Sequence, residues 1–229
     1  MDMVNVKING VDYSVPAGIT VLEACRYAGI DIPTLCYLKD INAIGACRLC
    51  LVEVKGARGM VTACVYPVNE GMEITTNSPR IMEARKMNLE LLLSNHKKDC
   101  LSCVRSTTCE LQALCNEYGV DEHHFGGERT VHKIDASSPS IIRDNDKCIL
   151  CRRCVAACKN MQGIGVIGAN NRGFDTEIGT AFEVKLADTS CVNCGQCIVA
   201  CPVGAIYEKD DTARVCEARA DPEMHVAIC

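Results

Sequence analysis

The sequence predicts an α+β protein that binds metal, and three observations lead to that prediction. Strand patterns in the first third of the chain surround a helix that has its own start and stop signals. Nineteen of the 229 residues are cysteines, most of them in tight groups. Aromatic residues make up only 4% of the chain and tryptophan is absent, so large apolar side chains for a core are few. Metal bound by the cysteines is the expected substitute.

The first third of the chain is predicted to form strands around one helix. The pair Asn9-Gly10 favours a tight hairpin turn between the first two strands. A capping box at Thr20 and Glu23 opens the helix, and Gly29 ends it. The predicted strands cover residues 4–8, 11–15, 51–54, 60–66 and 72–75.

Two helices are predicted in the middle of the chain. Ser78 is the expected N-cap of a long helix that has Pro79 in its first turn and runs to about residue 95. A shorter helix over 110–118 stops at Gly119. The remainder is predicted to be a polar linker, an internal repeat of two cysteine runs, and a tail, over residues 121–140, 141–209 and 210–229.

The first cysteine group favours a 2Fe–2S site. Its members are Cys36, Cys47, Cys50 and Cys64. Such a cluster needs two thiolates on each iron, which one tight pair and two distant cysteines can supply. The ten-residue gap after Cys36 is longer than the four-residue gap of plant-type ferredoxins. The group resembles the 2Fe–2S domain of the large iron–sulfur subunit of respiratory complex I and of iron-only hydrogenases. A structural zinc site is the alternative, but the preceding hairpin and helix favour a β-grasp ferredoxin domain.

The second group combines one histidine with three cysteines. Its members are His96, Cys100, Cys103 and Cys109. The spacing alone suits zinc as well as a 4Fe–4S cluster. The resemblance decides between them, because the complex I and hydrogenase proteins place a 4Fe–4S cluster with this ligand pattern directly after the 2Fe–2S domain.

The third and fourth groups have the spacing of bacterial ferredoxins with two 4Fe–4S clusters, in which the last cysteine of each run binds the other cluster. One predicted cluster is held by Cys148, Cys151, Cys154 and Cys201. The other is held by Cys191, Cys194, Cys197 and Cys158. The first run departs from the pattern, because Lys159 stands where the second run has Pro202.

Four cysteines lie outside these groups. Cys25 and Cys115 fall in predicted helices and are expected to pack as small apolar residues. Cys216 and Cys229 lie in the tail, and Cys229 is open to a second interpretation as a ligand that belongs to a further domain.

Two other motifs are given ordinary structural interpretations. The glycines at 163, 165 and 168 match a dinucleotide-binding fingerprint. They follow a cysteine ligand and run into a turn, so a hairpin between the two halves of the repeat is the better prediction. The pair His123-His124 is expected to be solvated in the linker.

The composition limits the classes of function. The first residues show no basic and apolar leader, and the cysteine count is odd, which argues against a secreted disulfide protein and for a cytoplasmic one. No apolar run is long enough for a membrane helix. The net charge of −5 and the lack of a basic stripe argue against nucleic acid as a partner.

All four groups, in this order, resemble the N-terminal iron–sulfur region of iron-only hydrogenases. The region is also similar to NAD-linked formate dehydrogenases, hydrogenase diaphorase subunits and the complex I large subunit. This resemblance implies one 2Fe–2S and three 4Fe–4S clusters that relay electrons, with no catalytic residue in the chain. It also implies a hetero-oligomer with a subunit that binds flavin and NAD(P)(H), a catalytic redox subunit, and ferredoxin as a further candidate partner.

Three domains follow from these motifs. They are a β-grasp 2Fe–2S domain at 1–78, a small helical domain with the histidine-containing cluster at 79–120, and a two-4Fe–4S ferredoxin domain at 141–209. Two alternatives to a self-standing electron-transfer subunit remain open. The chain is either the N-terminal part of an iron-only hydrogenase catalytic subunit or a zinc-bearing structural scaffold.

Overall fold

The N-terminal third folds into one five-stranded sheet with a helix against it, in a computed structural model that describes residues 2–121 and 123–225. The elements are β1 (Met3–Ile8), β2 (Val11–Pro16), α1 (Val21–Tyr27), β3 (Leu51–Val54), β4 (Val61–Thr62) and β5 (Met72–Thr75). The strand order is β2-β1-β5-β3-β4. Only the β1–β5 pair is parallel among these strands.

Local sequence signals explain most of this unit. Asn9 and Gly10 both have positive φ, at 51° and 86°, which matches the twist that a two-residue hairpin needs. The Thr20 hydroxyl accepts a hydrogen bond from the Glu23 amide at 3.3 Å, as the capping box predicts. The strand predicted over 60–66 is wrong in length. It ends at Thr62, because the next residues form the turn that carries Cys64.

Two helices, α2 (Pro79–Ser94) and α3 (Glu110–Glu117), form the middle of the molecule. The Ser78 hydroxyl caps α2 by accepting the Ile81 amide at 3.3 Å, so the predicted start is confirmed. Arg85 on α2 is buried, and its guanidinium donates to the backbone oxygens of Leu51 and Thr76 at 2.8 and 3.0 Å. These bonds fasten the helix to the end of the N-terminal sheet.

The cysteine-rich part contains short elements only. They are β6 (Ile141–Arg143), α4 (Arg153–Ala156), β7 (Ile167–Asn170), β8 (Glu177–Thr180), α5 (Gln196–Ala200), β9 (Ile206–Glu208) and α6 (Thr212–Ala220). β6 pairs with β9, and β7 pairs with β8. The glycine motif leads into the β7–β8 hairpin, with Gly165 donating its amide to the Cys158 carbonyl at the end of a helix. The predicted hairpin is confirmed.

The segment predicted as a linker makes specific contacts. Asp135 forms two backbone hydrogen bonds with Arg143, both 2.9 Å long, and its carboxylate lies 3.1 Å from the Arg143 guanidinium. His124 is also more than a solvated residue, and that expectation is wrong for it. Its Nδ1 lies 2.8 Å from the carboxylate of the buried Glu90 on α2.

Two apolar cores hold these units together. The smaller one lies between α1 and the N-terminal sheet. The larger one crosses the whole chain, because Leu35 and Leu49 from the first cysteine group pack into it together with Leu89, Leu111 and Ile141. Within residues 2–121 and 123–225, the search for a helix of the length and apolarity that a bilayer crossing requires gives none.

Candidate metal centres

The first cysteine group converges on one place at the end of the N-terminal sheet. Its four members, Cys36, Cys47, Cys50 and Cys64, are all buried. Hydrogen bonds from the Cys47 and Cys64 thiols lower the pKa of Cys36 far below its usual value, and the amides of Ala46 and Cys47 act in the same direction. The Leu35 amide donates to the Cys47 sulfur at 3.4 Å. Amide donors around buried sulfur favour the thiolate form that binds iron.

The second group lines a cavity beside the start of α3. The cavity wall includes His96, Cys100, Cys103 and Cys109. Burial lowers the pKa of His96 to about 4, and the charge of Lys147 acts in the same direction, so the imidazole is neutral at pH 7. Its Nδ1 is buried and has no hydrogen-bond partner among the described residues. A neutral imidazole with an unpartnered nitrogen has the form that ligates metal.

Gly204 and Lys147 also shape this second cavity. A Cβ added at Gly204 would lie 2.6 Å from the Cys103 sulfur, so only glycine leaves room for the thiol. The buried Lys147 ammonium lies 3.2 Å from a carboxylate oxygen of Asp99, in the loop between His96 and Cys100. The cation therefore sits at the edge of the cavity.

The third and fourth groups meet crosswise around two further cavities with apolar walls. One cavity is lined by Cys148, Cys151, Cys154 and Cys201. The other is lined by Cys158, Cys191, Cys194 and Cys197. Burial raises the pKa of Cys148 and Cys151 to about 12, so both thiols are neutral at pH 7 in the metal-free chain. Metal binding at this cavity would therefore release protons.

The two cysteine loops share one backbone conformation. Leu150 and Arg152 have φ of 55° and 59°, and the equivalent residues Asn193 and Gly195 have 54° and 73°. Left-handed backbone at matching positions bends each loop around its cavity. The internal repeat predicted from the cysteine spacing is thus visible in the fold.

The fourth cysteine of the first run does not begin a helix, although the prediction of crossed ligands assumed that it would. α4 begins at Arg153 and continues as a π-helical turn over Ala157–Met161, so Cys158 lies inside the helix. In the second run Cys201 follows the end of α5, where Pro202 stops it. Lys159 has the amide that a continuing helix needs and proline lacks, which explains the difference between the runs.

Several polar residues that join the centres were not predicted from the sequence. The Asn42 amide donates to the backbone oxygens of Cys36 and Cys151, at 2.7 and 3.1 Å. Arg105, between Cys103 and Cys109, donates to the Ile198 carbonyl at 2.8 Å. These residues lie between cysteines in the sequence, which was the only available signal.

A second link joins α3 to the helix that follows the third cysteine run. One guanidinium nitrogen of the buried Arg153 contacts both carboxylate oxygens of Glu110, at 2.8 and 2.9 Å. The Glu110 amide also donates to the Pro202 carbonyl at 3.0 Å. Nothing in the sequence paired these two residues.

The cysteines outside the four groups have different surroundings. Cys25 is fully buried in the smaller core, and burial raises its pKa to about 11, so the apolar packing role is confirmed. Cys115 is partly buried against the larger core, which raises its pKa to about 12. Cys216 is exposed on α6, and Cys229 lies outside the described residues.

These residues fit iron–sulfur clusters by their donor chemistry. Thiols surround enclosed spaces, amides point at several sulfurs, and one imidazole nitrogen lacks a partner. Thiolate, with histidine as an occasional substitute, is the ligand set of protein iron–sulfur clusters. In the described part of the chain, no three His, Cys, Asp or Glu side chains come together as a site for a single metal ion.

Family models match three regions that contain these groups. A 2Fe-2S iron-sulfur cluster binding domain matches residues 1–79. The NADH-ubiquinone oxidoreductase-G iron-sulfur binding region matches residues 85–124, and a 4Fe-4S dicluster domain matches residues 147–205. Fold, thiol groups and matches together define an iron–sulfur protein built from small mixed α and β domains, with one 2Fe–2S domain followed by 4Fe–4S domains.

Known proteins narrow this class to a family. The chain is similar to the NADP-reducing hydrogenase subunit HndD of Solidesulfovibrio fructosivorans, with 47% identity over all of this chain and 40% of that protein. It is 42% identical to a G-type subunit of the NADH-quinone oxidoreductase of Rhizobium meliloti (strain 1021), over 89% of this chain and 24% of that protein. The chain thus spans less than half the length of these relatives.

A solved structure gives a match over nearly its full length. One chain in the crystal structure of an NAD+-reducing [NiFe]-hydrogenase in the H2-reduced state superposes with a TM-score of 0.84 and 31% identity. The match covers 90% of this chain and 87% of that one. The chain belongs to the family of iron–sulfur subunits shared by NAD-reducing hydrogenases and NADH-quinone oxidoreductases, in the latter as the G-type component.

Proposed function

We propose that this chain is an electron-transfer module of an NAD(P)H-linked redox complex. The observation that carries the proposal is the crosswise meeting of two cysteine runs around two cavities, beside a third cavity that contains His96. When bound, the clusters take up and release single electrons. The residues of the chain set the spacing, exposure and charge of the centres, and the proposal assigns no catalytic residue to them.

The proposed cofactors are one 2Fe–2S cluster, in a domain of β-grasp type at 1–78, and three 4Fe–4S clusters. Buried thiols with amide donors support the first centre, and the lined cavities support the other three. The 2Fe–2S ligands are Cys36, Cys47, Cys50 and Cys64. The 4Fe–4S ligands are His96, Cys100, Cys103 and Cys109; Cys148, Cys151, Cys154 and Cys201; and Cys191, Cys194, Cys197 and Cys158.

The proposed partners belong to one hetero-oligomer in the cytoplasm. One partner binds flavin and NAD(P)(H), and the electrons pass between it and a redox catalytic site or ferredoxin. The similarity to a subunit named as an NADP-reducing hydrogenase favours a hydrogenase complex. The second candidate is the N-terminal part of an iron-only hydrogenase catalytic subunit, which the 40% coverage of that relative supports. The mass of the native polypeptide and the subunits that co-purify with it distinguish the two candidates.

Anaerobic purification tests the electron-transfer proposal. An iron–sulfur module is expected to be brown, to contain roughly 14 iron atoms per chain, and to take up electrons in a redox titration. A colourless protein with about four zinc ions and no reducible centre would contradict the proposal and establish the scaffold alternative.

A further inference from the structure

The loop after Cys36 contains a hydrogen-bonded side chain that touches two proposed centres. Asn42 is 6% exposed, and its amide nitrogen donates to the backbone oxygens of Cys36 and Cys151. Cys36 belongs to the first cysteine group and Cys151 to the third. One nitrogen therefore joins ligand residues that lie 115 positions apart in the sequence.

The backbone around Asn42 holds this side chain in place. Leu38 and Asn42 donate their amides to each other's carbonyls, both at 2.9 Å, so the loop is a closed turn. This turn occupies the ten-residue gap between Cys36 and Cys47. The extra length of the gap therefore provides a structure that reaches the ferredoxin-like repeat.

The chemistry of the contact selects asparagine. Two backbone oxygens need two donors on one atom, and a primary amide has them. A serine hydroxyl can serve only one of the two oxygens, while an ionised aspartate or a leucine donates to neither. Loss of the amide would leave two carbonyl groups without this donor in a buried place, which is costly.

We infer that Asn42 is a positioning residue that fixes the distance between the 2Fe–2S centre and the 4Fe–4S centre of Cys151. The inference rests on the proposed function, since it requires both centres to be present. A fixed distance matters there because electron tunnelling falls exponentially with separation. The side chain acts through the two ligand loops and does not itself bind metal.

A matched pair of variants of the full chain tests the inference. Asn42→Leu keeps the approximate shape and removes both bonds. Asn160→Leu is the control, because the Asn160 amide also crosses between the two regions, at 3.1 Å to the Ile41 carbonyl, but touches no ligand residue. The measurement is the relaxation enhancement between the two reduced clusters in electron paramagnetic resonance, which detects only chains that contain both.

The expected result is loss of relaxation enhancement in Asn42→Leu and no change in Asn160→Leu. The rate of electron exchange between the two clusters should fall roughly two- to thirtyfold in the first variant alone. Asn42→Ser, which keeps one donor, should have an intermediate effect and is used if Asn42→Leu retains too few clusters. Unchanged coupling at Asn42, or an equal loss in the Asn160 control, would overturn the inference while the proposed function stands. A wild-type chain without either cluster would overturn both.

Discussion

At the scale of single residues, His96 decides the character of the second centre. Its imidazole is buried and neutral, whereas the other proposed ligands of that centre are thiols. A thiolate adds negative charge at iron, while a neutral imidazole does not, so histidine ligation raises the potential of a cluster.

We predict that His96→Cys keeps a 4Fe–4S cluster and lowers its potential by on the order of 100 mV, because a charged ligand replaces a neutral one. A redox titration followed by electron paramagnetic resonance measures the shift. His96→Ala is the companion variant and should lose or alter this cluster alone. A titration of His96→Ala that matches wild type would show that the histidine is not a ligand.

Gly204 gives a second prediction at this scale. Gly204→Ala places a methyl group 2.6 Å from the Cys103 sulfur, so the thiol must move away from its position. Overpacking of this kind costs about 1–3 kcal/mol, and we expect a lower content of the His96 cluster. Gly168→Ala is the matched control, because its added methyl group meets nothing within 4 Å. Equal cluster content in the two variants would refute the prediction.

At the scale of elements, the helices carry each fourth cysteine to the opposite cavity. Cys158 lies within the helix that starts at Arg153, and α5 leads to Cys201. We predict that Cys158→Ser perturbs the cluster of Cys191, Cys194 and Cys197, because the side chain of residue 158 lines that cavity.

Spectra of three variants decide this point. Cys158→Ser and Cys191→Ser should lose the same cluster signal, while Cys148→Ser should lose the other one. If Cys158→Ser and Cys148→Ser lose the same signal instead, the ligands do not cross.

Much of the element pattern could be predicted because the signals for it are local. The hairpin at Asn9-Gly10, the cap at Thr20 and the start of α2 each depend on residues within one turn. The errors arose where tertiary contacts dominate. The strand through Cys64 is cut short by the turn that positions its thiol, and His124 is drawn to Glu90 on a distant helix.

The proposed ligands could be read from cysteine spacing and family resemblance, but their polar supports could not. Asn42 and Arg105 act on backbone oxygens far away in the sequence, and a carbonyl contact leaves no pattern in residue types. Glu110 and Arg153 similarly pair across 43 positions. Such contacts become visible only when the fold is known.

At the scale of the whole molecule, metal binding and folding are coupled. The cysteine-rich repeat has only short strands and helices, and its thiols line the spaces between them. We predict that complete removal of iron abolishes amide exchange protection over residues 141–209, because the clusters replace much of a core there.

Hydrogen exchange with mass spectrometry measures this loss, and β1 and β2 provide the internal control. Their aliphatic side chains belong to the smaller core, which lies between α1 and the sheet, so they should keep more protection. Intact protection of the repeat after chelation would show that the chain folds there without metal.

The larger core has a practical consequence for protein engineering. Leu35 and Leu49 belong to the loops of the first cysteine group, yet they are buried against α2 residue Leu89 and α3 residue Leu111. A gene fragment cut after residue 78 would encode a cluster loop with these leucines facing water. One centre can therefore be silenced by a point substitution, but it cannot be transplanted into another scaffold without its neighbours.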